Sequence, residues 1–267
     1  MNALEKAIYD YHNTNKTIAL ILQETGISKS MFYRNLDYKE EFREKKKARK
    51  YTFNFDKFKQ DTADKFYWLG FLGADGCVVG NTLSIELKEN DVEHLEKFNA
   101  FCENTRPITK RINNLNVACV KTQINSYELI DYLKQYNIYQ NKSKTYVIPV
   151  EQIPQEFLMD FIRGLIDGDG CIRINNHQQI SLEFCSGNLK CVEQFKDIVE
   201  LDNKITQDKM TFHVQVTGNK KAKAILDKIY QNSNDSNIVL GYKFDGAHNV
   251  WKEQFWARPR RGIIGQG

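Results

Sequence analysis

Ten residues in the first third of this chain return in near copy 94 positions later. The first run is Trp68-Leu69-Gly70-Phe71-Leu72-Gly73-Ala74-Asp75-Gly76-Cys77; the second is Ile162-Arg163-Gly164-Leu165-Ile166-Asp167-Gly168-Asp169-Gly170-Cys171. Each reads as a short apolar helix with small residues four apart, Gly70 and Ala74 in one, Gly164 and Gly168 in the other, closing on an acid and a helix-stopping glycine. Small side chains at that spacing let two helix backbones approach closely, so the two helices are expected to pack on each other. Asp75 and Asp169 then meet at the end where both helix dipoles are negative. Two carboxylates sharing such a place need a raised pKa or a bound divalent cation, and hard oxygen ligands favour Mg²⁺.

The succession of elements behind each run also repeats. After the first come a hairpin, Cys77 to Gly80 with Thr82 to Lys88, a helix capped by Asp91 and ending at Phe101, a second hairpin from Ile108 to Ile124, and a helix from Ser126 to about Tyr136. After the second come strands Cys171 to Asn175 and Gln179 to Cys185, a helix from Asn188 to Val199, a hairpin of Lys204 to Gln207 with Thr211 to Thr217, and a helix opening at Asn219. A duplicated unit explains this order. The expected fold class is α+β: two pseudo-symmetric αββαββα halves with antiparallel sheets, 62–150 and 151–249, behind a small all-α module at 1–45 and a basic linker at 46–61. The tail, 250–267, is expected to be disordered.

The predicted strands are polar on one side. Arg173, Asn175, Gln179, Ser181 and Glu183 alternate with Ile172, Ile174, Ile180, Leu182 and Phe184, and Lys209, Thr211, His213, Gln215 and Thr217 alternate in the next hairpin. The first half offers Ser84, Glu86, Lys88, Arg111, Asn113 and Lys121. Such a face is either a solvated sheet surface or a set of side chains long enough to reach base edges in a major groove.

Composition sets limits on the remaining classes. A net charge of +4 does not by itself identify a nucleic-acid binder, but Arg43 to Lys50 is a dense basic run and Arg258, Arg260 and Arg261 crowd the far end. No apolar run is long enough to cross a bilayer and no secretory signal pattern opens the sequence, so a non-exported protein of the cytoplasm or an organelle matrix is expected, acting as a monomer without a membrane partner. The six cysteines show no Cys-x-x-Cys spacing and read as small buried residues in a reducing compartment.

The paired runs resemble the LAGLIDADG motif of homing endonucleases, in the single-chain form with two motifs, and the resemblance covers residues 62 to 245, including Asn141-Lys142-Ser143. It implies a saddle formed by the two sheets, sequence-specific cleavage of both strands of double-stranded DNA, and Mg²⁺ or Mn²⁺ held by Asp75 and Asp169. It further implies a lysine near each active site, here Lys142 and Lys243, to stabilise charge on the phosphate, and polar groups at Asp91 and Asn188 that orient water or metal. Where the second motif has Asp167 the first has Gly73, so unequal cutting of the two strands is conceivable. With the resemblance, the DNA-reading alternative for the polar face gains Ser84, Lys88, Arg111, Lys121, Arg173, Asn175, Gln179, Lys209, His213 and Gln215 as candidate contacts.

Residues Leu22 to Arg34 are similar to a helix-turn-helix of the GIS-x-S-x-x-YR kind, in which the third helix enters the major groove. Lys29, Ser30, Tyr33 and Arg34 would then face DNA; the alternative is a helical hairpin used only for packing. Two readings without cleavage stay open beside the nuclease: a DNA-binding regulator of the same fold, and an intron maturase binding RNA.

Overall fold

The structure, a computed structural model, describes residues 1–14, 16, 18–36, 50–113, 116–174 and 179–231. Lys243, Asn175, the basic run 43–49 and the tail 250–267 lie outside the described residues. The chain divides into two units, Met1–Lys50 and Tyr51–Gly267.

In the first unit, α1 (Ala3–Asn13) begins with a reciprocal cap: Asn2 Oδ1 accepts the Glu5 N–H at 2.8 Å and Glu5 Oε2 accepts the Asn2 N–H at 2.8 Å. Helix α2 (Ile18–Thr25) ends at Gly26, whose φ of +68° turns the chain, and the Ser28 hydroxyl accepts the Met31 N–H to start α3 (Lys29–Asn35). Ala7, Tyr11, Ile21, Phe32 and Leu36 form its core. Met31 is 50% exposed. Phe32 and Leu36, four apart, set the buried stripe, and Met31 stands one residue, about 100°, off that stripe.

The second unit is built on two helices, α4 (Ala63–Asp75) and α7 (Leu158–Asp169). A Cβ placed on Gly70 would lie 2.0 Å from the Phe161 carbonyl oxygen, and one on Gly164 would lie 2.0 Å from that of Tyr67. One turn on, Gly168 meets Ala74 so closely that an added Cβ would stand 2.3 Å from the alanine's own. The expected tight crossing is therefore present, and it runs along the whole small-residue stripe to the acidic ends.

Each helix leads into a four-stranded antiparallel sheet. Strands β1 (Cys77–Val79), β2 (Thr82–Lys88), β3 (Thr109–Ile112) and β4 (Ala118–Asn125) stand in the order β1-β2-β4-β3; β5 (Gly170–Ile174), β6 (Ile180–Ser186), β7 (Ile205–Asp208) and β8 (Thr211–Thr217) repeat it as β5-β6-β8-β7. Gly80, with φ +55°, makes the two-residue turn of the first hairpin. Helices α5 (Val92–Phe101), α6 (Tyr127–Leu133), α8 (Leu189–Ile198) and α9 (Asn219–Tyr230) complete the two halves. Leu83, Ile85, Val120 and Ile124 from one sheet and Leu182, Phe184, Val214 and Val216 from the other enter one continuous core with α4 and α7. Alternation leaves the opposite face of each sheet polar.

The segment before α4 belongs to this core. Phe58 is fully buried, and the Asn54 N–H donates to the Cys102 carbonyl at 2.7 Å. The described cysteines depart from the expectation of general burial: Cys102, Cys119 and Cys191 are buried, but Cys77 and Cys171 are exposed and Cys185 is intermediate. Cys77 and Cys171 follow the motif glycines directly and lie on the outer faces of β1 and β5, opposite Ser84 and Glu183. Among the described residues no helix is long and apolar enough to cross a membrane.

Candidate active site and nucleic-acid interface

Helix geometry delivers the two motif aspartates. Asp75 and Asp169 are the last residues of α4 and α7, and the next N–H groups turn back, Gly76 onto the Leu72 carbonyl and Gly170 onto that of Ile166. A Cβ on Gly76 would lie 2.4 Å from the Leu72 oxygen and one on Gly170 2.6 Å from the Ile166 oxygen, so each acid must be followed by glycine. Asp75 leans across the crossing: its Oδ2 is 3.5 Å from where a Gly168 Cβ would stand. Asp75 is part-buried and Asp169 exposed, at the negative ends of two aligned peptide dipoles.

Lys142 joins them from a one-turn helix, Lys142–Lys144, reached through Asn141 in a left-handed conformation. It is 6% exposed, and its Nζ donates to the Ala74 carbonyl at 2.9 Å. Burial pushes its ammonium below the usual lysine range, while Asp169 and then Asp75 pull it back up. The side chain is thus held against one motif helix and within electrostatic reach of both acids. The turn also bridges the halves. Gly187, at the end of β6, lies so close to the Ser143 carbonyl that an added Cβ would be 2.6 Å away. Lys142, Tyr146, Asp169, Cys185 and Thr211 line one cavity of about 350 Å³. The lysine turn of the first half therefore closes the acidic end of the second.

The earlier acidic position of the motif has a different job. Asp167 is 1% exposed; its Oδ2 accepts from the Tyr67 hydroxyl at 2.7 Å and its Oδ1 from the Tyr230 hydroxyl at 2.6 Å. Burial first, and then Asp167, raise the Tyr67 phenol well above its ordinary range, which keeps it a donor. The same hydroxyl stands 3.1 Å from His94 Nε2. Asp167 is thereby a buried cross-link between the halves. Gly73 has no such carboxylate because Tyr146 fills the place: a Cβ there would lie 2.2 Å from the Tyr146 hydroxyl.

Metal fit rests on the donor set. Asp75 and Asp169 offer hard carboxylate oxygens, suited to Mg²⁺ or Mn²⁺. Among the described residues no group of three or more His, Cys, Asp or Glu side chains is placed to hold an ion. Two carboxylates alone suit a cation whose other ligands are water and substrate oxygens. Asn188 spends its Oδ1 on the Lys190 N–H at 3.0 Å, capping α8, and Asp91 occupies the N-cap of α5 without a side-chain cap bond, contrary to the expected cap.

On the outer sheet faces, Lys88, Arg111, Arg173, Gln179 and Gln215 are exposed, Lys121 and His213 are part-buried, and Lys209 sits at the β7–β8 turn with φ +52°. Ser84 is an exception. It is 7% exposed, its hydroxyl lies 3.4 Å from the Cys77 carbonyl, and longer neighbours flank a side chain too short to clear them. Gln123, not among the contacts expected from sequence, lies opposite Ser84 and one alternation on from Lys121. In the second sheet Gln215 takes the corresponding place opposite Glu183. The period-two pattern already running through Lys121 was the signal for it. In the first unit Lys29, Ser30 and Arg34 are exposed on α3, whereas Tyr33 is part-buried against Phe32.

Residues 156–230 match the family described as LAGLIDADG-like domain. The match to this family is confined to those residues. The LAGLIDADG match spans α7 through α9, the second of the two halves. Among solved structures, the fold is similar to that of the meganuclease I-SmaMI bound to uncleavable DNA, with a TM-score of 0.51 and 11% identity over 69% of this chain and 89% of that one. The homing endonuclease I-WcaI bound to its DNA recognition sequence gives 0.49 and 18% over 70% and 90%, and I-LtrWI bound to target DNA gives 0.49 and 12% over 70% and 89%. No curated protein matches.

Proposed function

We propose that the chain is a site-specific endonuclease of double-stranded DNA, active as a monomer with Mg²⁺ or Mn²⁺. The observation that carries this reading is the meeting of Asp75, Asp169 and a buried Lys142 at the acidic ends of two helices crossing at glycine contact. A divalent cation bound by the two aspartates would supply charge neutralisation and an activated water beside each scissile phosphate. Lys142 offers a dehydrated positive charge next to the second motif, where negative charge builds on a phosphate under attack. Lys243, outside the described residues, is proposed as its counterpart. Asp91 and Asn188 are proposed to orient water near the strand ends.

Polar outer faces of both sheets support major-groove reading by Lys88, Arg111, Lys121, Gln123, Arg173, Gln179, His213 and Gln215. The exposed Lys29, Ser30 and Arg34 of α3 support a second DNA contact by the leading unit. Incubating the purified chain with a randomised duplex library and Mg²⁺ is the direct test. Paired cuts at a common sequence are expected from the wild type, with Asp75→Asn and Asp169→Asn retaining binding but not cleavage. Binding without cuts by the wild type would favour a regulator, preference for RNA a maturase, and full cleavage by both variants would end the proposed chemistry.

A further inference from the structure

Carboxylates on a face that meets phosphates are repelled unless something holds them there. Glu86 and Glu183 are two such carboxylates among the described residues, each held by an arginine. Glu86 projects from the inner strand β2 and its Oε1 takes Arg111 Nη2, from the edge strand β3, at 2.6 Å. Glu183 projects from the inner strand β6, is ion-paired with Arg173 of the edge strand β5, and accepts or faces His213 Nδ1 at 3.0 Å. The arrangement recurs although the arginines come from strands that are not equivalent in the two halves. Each acid is about a quarter exposed and each arginine about half exposed, 26% with 55% and 23% with 53%, so both ends of the couple reach the open face. Around Glu183 the setting is pinned further: Gln215, directly opposite, donates to the Ser181 hydroxyl at 2.7 Å, and Ser181 lies opposite Arg173.

We propose that each couple, Arg111 with Glu86 and Arg173 with Glu183, reads one G·C base pair. This inference rests on the duplex-reading function above. In the major groove a G·C pair shows two acceptors, guanine N7 and O6, beside one donor, the cytosine N4 amino group. A guanidinium carries five donors, and a carboxylate that engages one or two of them leaves a donor pair next to free acceptor lone pairs. The couple thus displays donors beside acceptors in the order that G·C requires. An A·T pair replaces one acceptor with a donor and adds a methyl group, leaving a guanidinium N–H unmatched. Holding the arginine in advance also lowers the ordering cost on binding.

The test is selection of bound sequences from a randomised duplex library by the wild-type chain and by Arg173→Ala, Arg173→Lys, Arg111→Ala and Glu183→Gln. The wild type is expected to select G·C at one position in each half-site. Arg173→Ala should make one of these positions degenerate, with affinity for the original site down on the order of ten- to a hundredfold and every other position unchanged, and Arg173→Lys, which keeps a donor but loses the fork held by Glu183, should weaken the preference less. Arg111→Ala should match Arg173→Ala in the other half-site, and Glu183→Gln should broaden the position read with Arg173. Retained G·C preference in Arg173→Ala, or equal weakening on all duplexes with the selected sequence unaltered, would mean that Arg173 contacts no base and overturn this proposal alone. Failure of the wild type to enrich any sequence would overturn both it and the function on which it rests.

Discussion

Replacing Gly164 with alanine tests whether the helix crossing controls both stability and the placement of the acids. The new methyl carbon would stand 2.0 Å from the Tyr67 carbonyl oxygen and 2.7 Å from the Phe71 nitrogen, where ordinary contact begins at 3.4 Å. Relief needs the two backbones to part by about 1.4 Å, because no rotamer change moves a carbonyl. Overpacking of this kind costs about 3 kcal/mol, and the better helix propensity of alanine returns about 1 kcal/mol, for a net loss of about 2 kcal/mol. The same parting shifts Asp75 relative to Asp169, and a displacement of about 1 Å at reacting groups lowers rates roughly a hundredfold. Urea denaturation and single-turnover cleavage at saturating enzyme measure the two effects. Gly73→Ala is the comparison, since its obstacle is the hydroxyl end of Tyr146 rather than backbone, and it should lose less on both counts. Wild-type stability and rate in Gly164→Ala would refute the claim that backbone contact sets the site.

Asp167→Ala should destabilise by roughly 2–4 kcal/mol, because it strands the buried Tyr67 and Tyr230 hydroxyls; Asp167→Asn, whose amide can still pair with both, should lose less in the same denaturation series. Lys142→Met should abolish cleavage yet leave stability at neutral pH equal or higher. Burial lowers the Lys142 pKa, so the native state binds fewer protons than the unfolded state between that lowered value and the ordinary 10.5, and wild-type stability rises with pH across that window. Denaturation midpoints at neutral and alkaline pH should show this rise shrinking in the variant. Ser28→Ala should weaken the first unit by about 1 kcal/mol through loss of the α3 cap, seen as earlier melting of that unit with cleavage-site geometry unaltered.

The sequence by itself determined the architecture wherever the information is local or repeated. Small residues four apart, an acid and a glycine at each motif end, and the same succession of helices and hairpins twice over specify the crossing helices and two like sheets, because periodicity and side-chain volume act over short stretches of chain. Alternation likewise placed Arg173, His213 and Gln215 on an outer face. Only tertiary structure decided what depends on partners distant in the chain. Lys142 could be a surface lysine until its turn is seen packed under the ends of α4 and β6. Asp167 and Gly73 occupy equal places in the two motifs, yet one is a cross-link held by tyrosines from both halves and the other a space filled by Tyr146. The exposure of Cys77 and Cys171, the burial of Ser84 and the coupling of Glu86 and Glu183 to arginines across the sheets come from strand register and neighbour size. The contacts of Tyr67 with Asp167 and of Lys142 with Ala74 join residues 100 and 68 positions apart, and no local pattern encodes the distance between them.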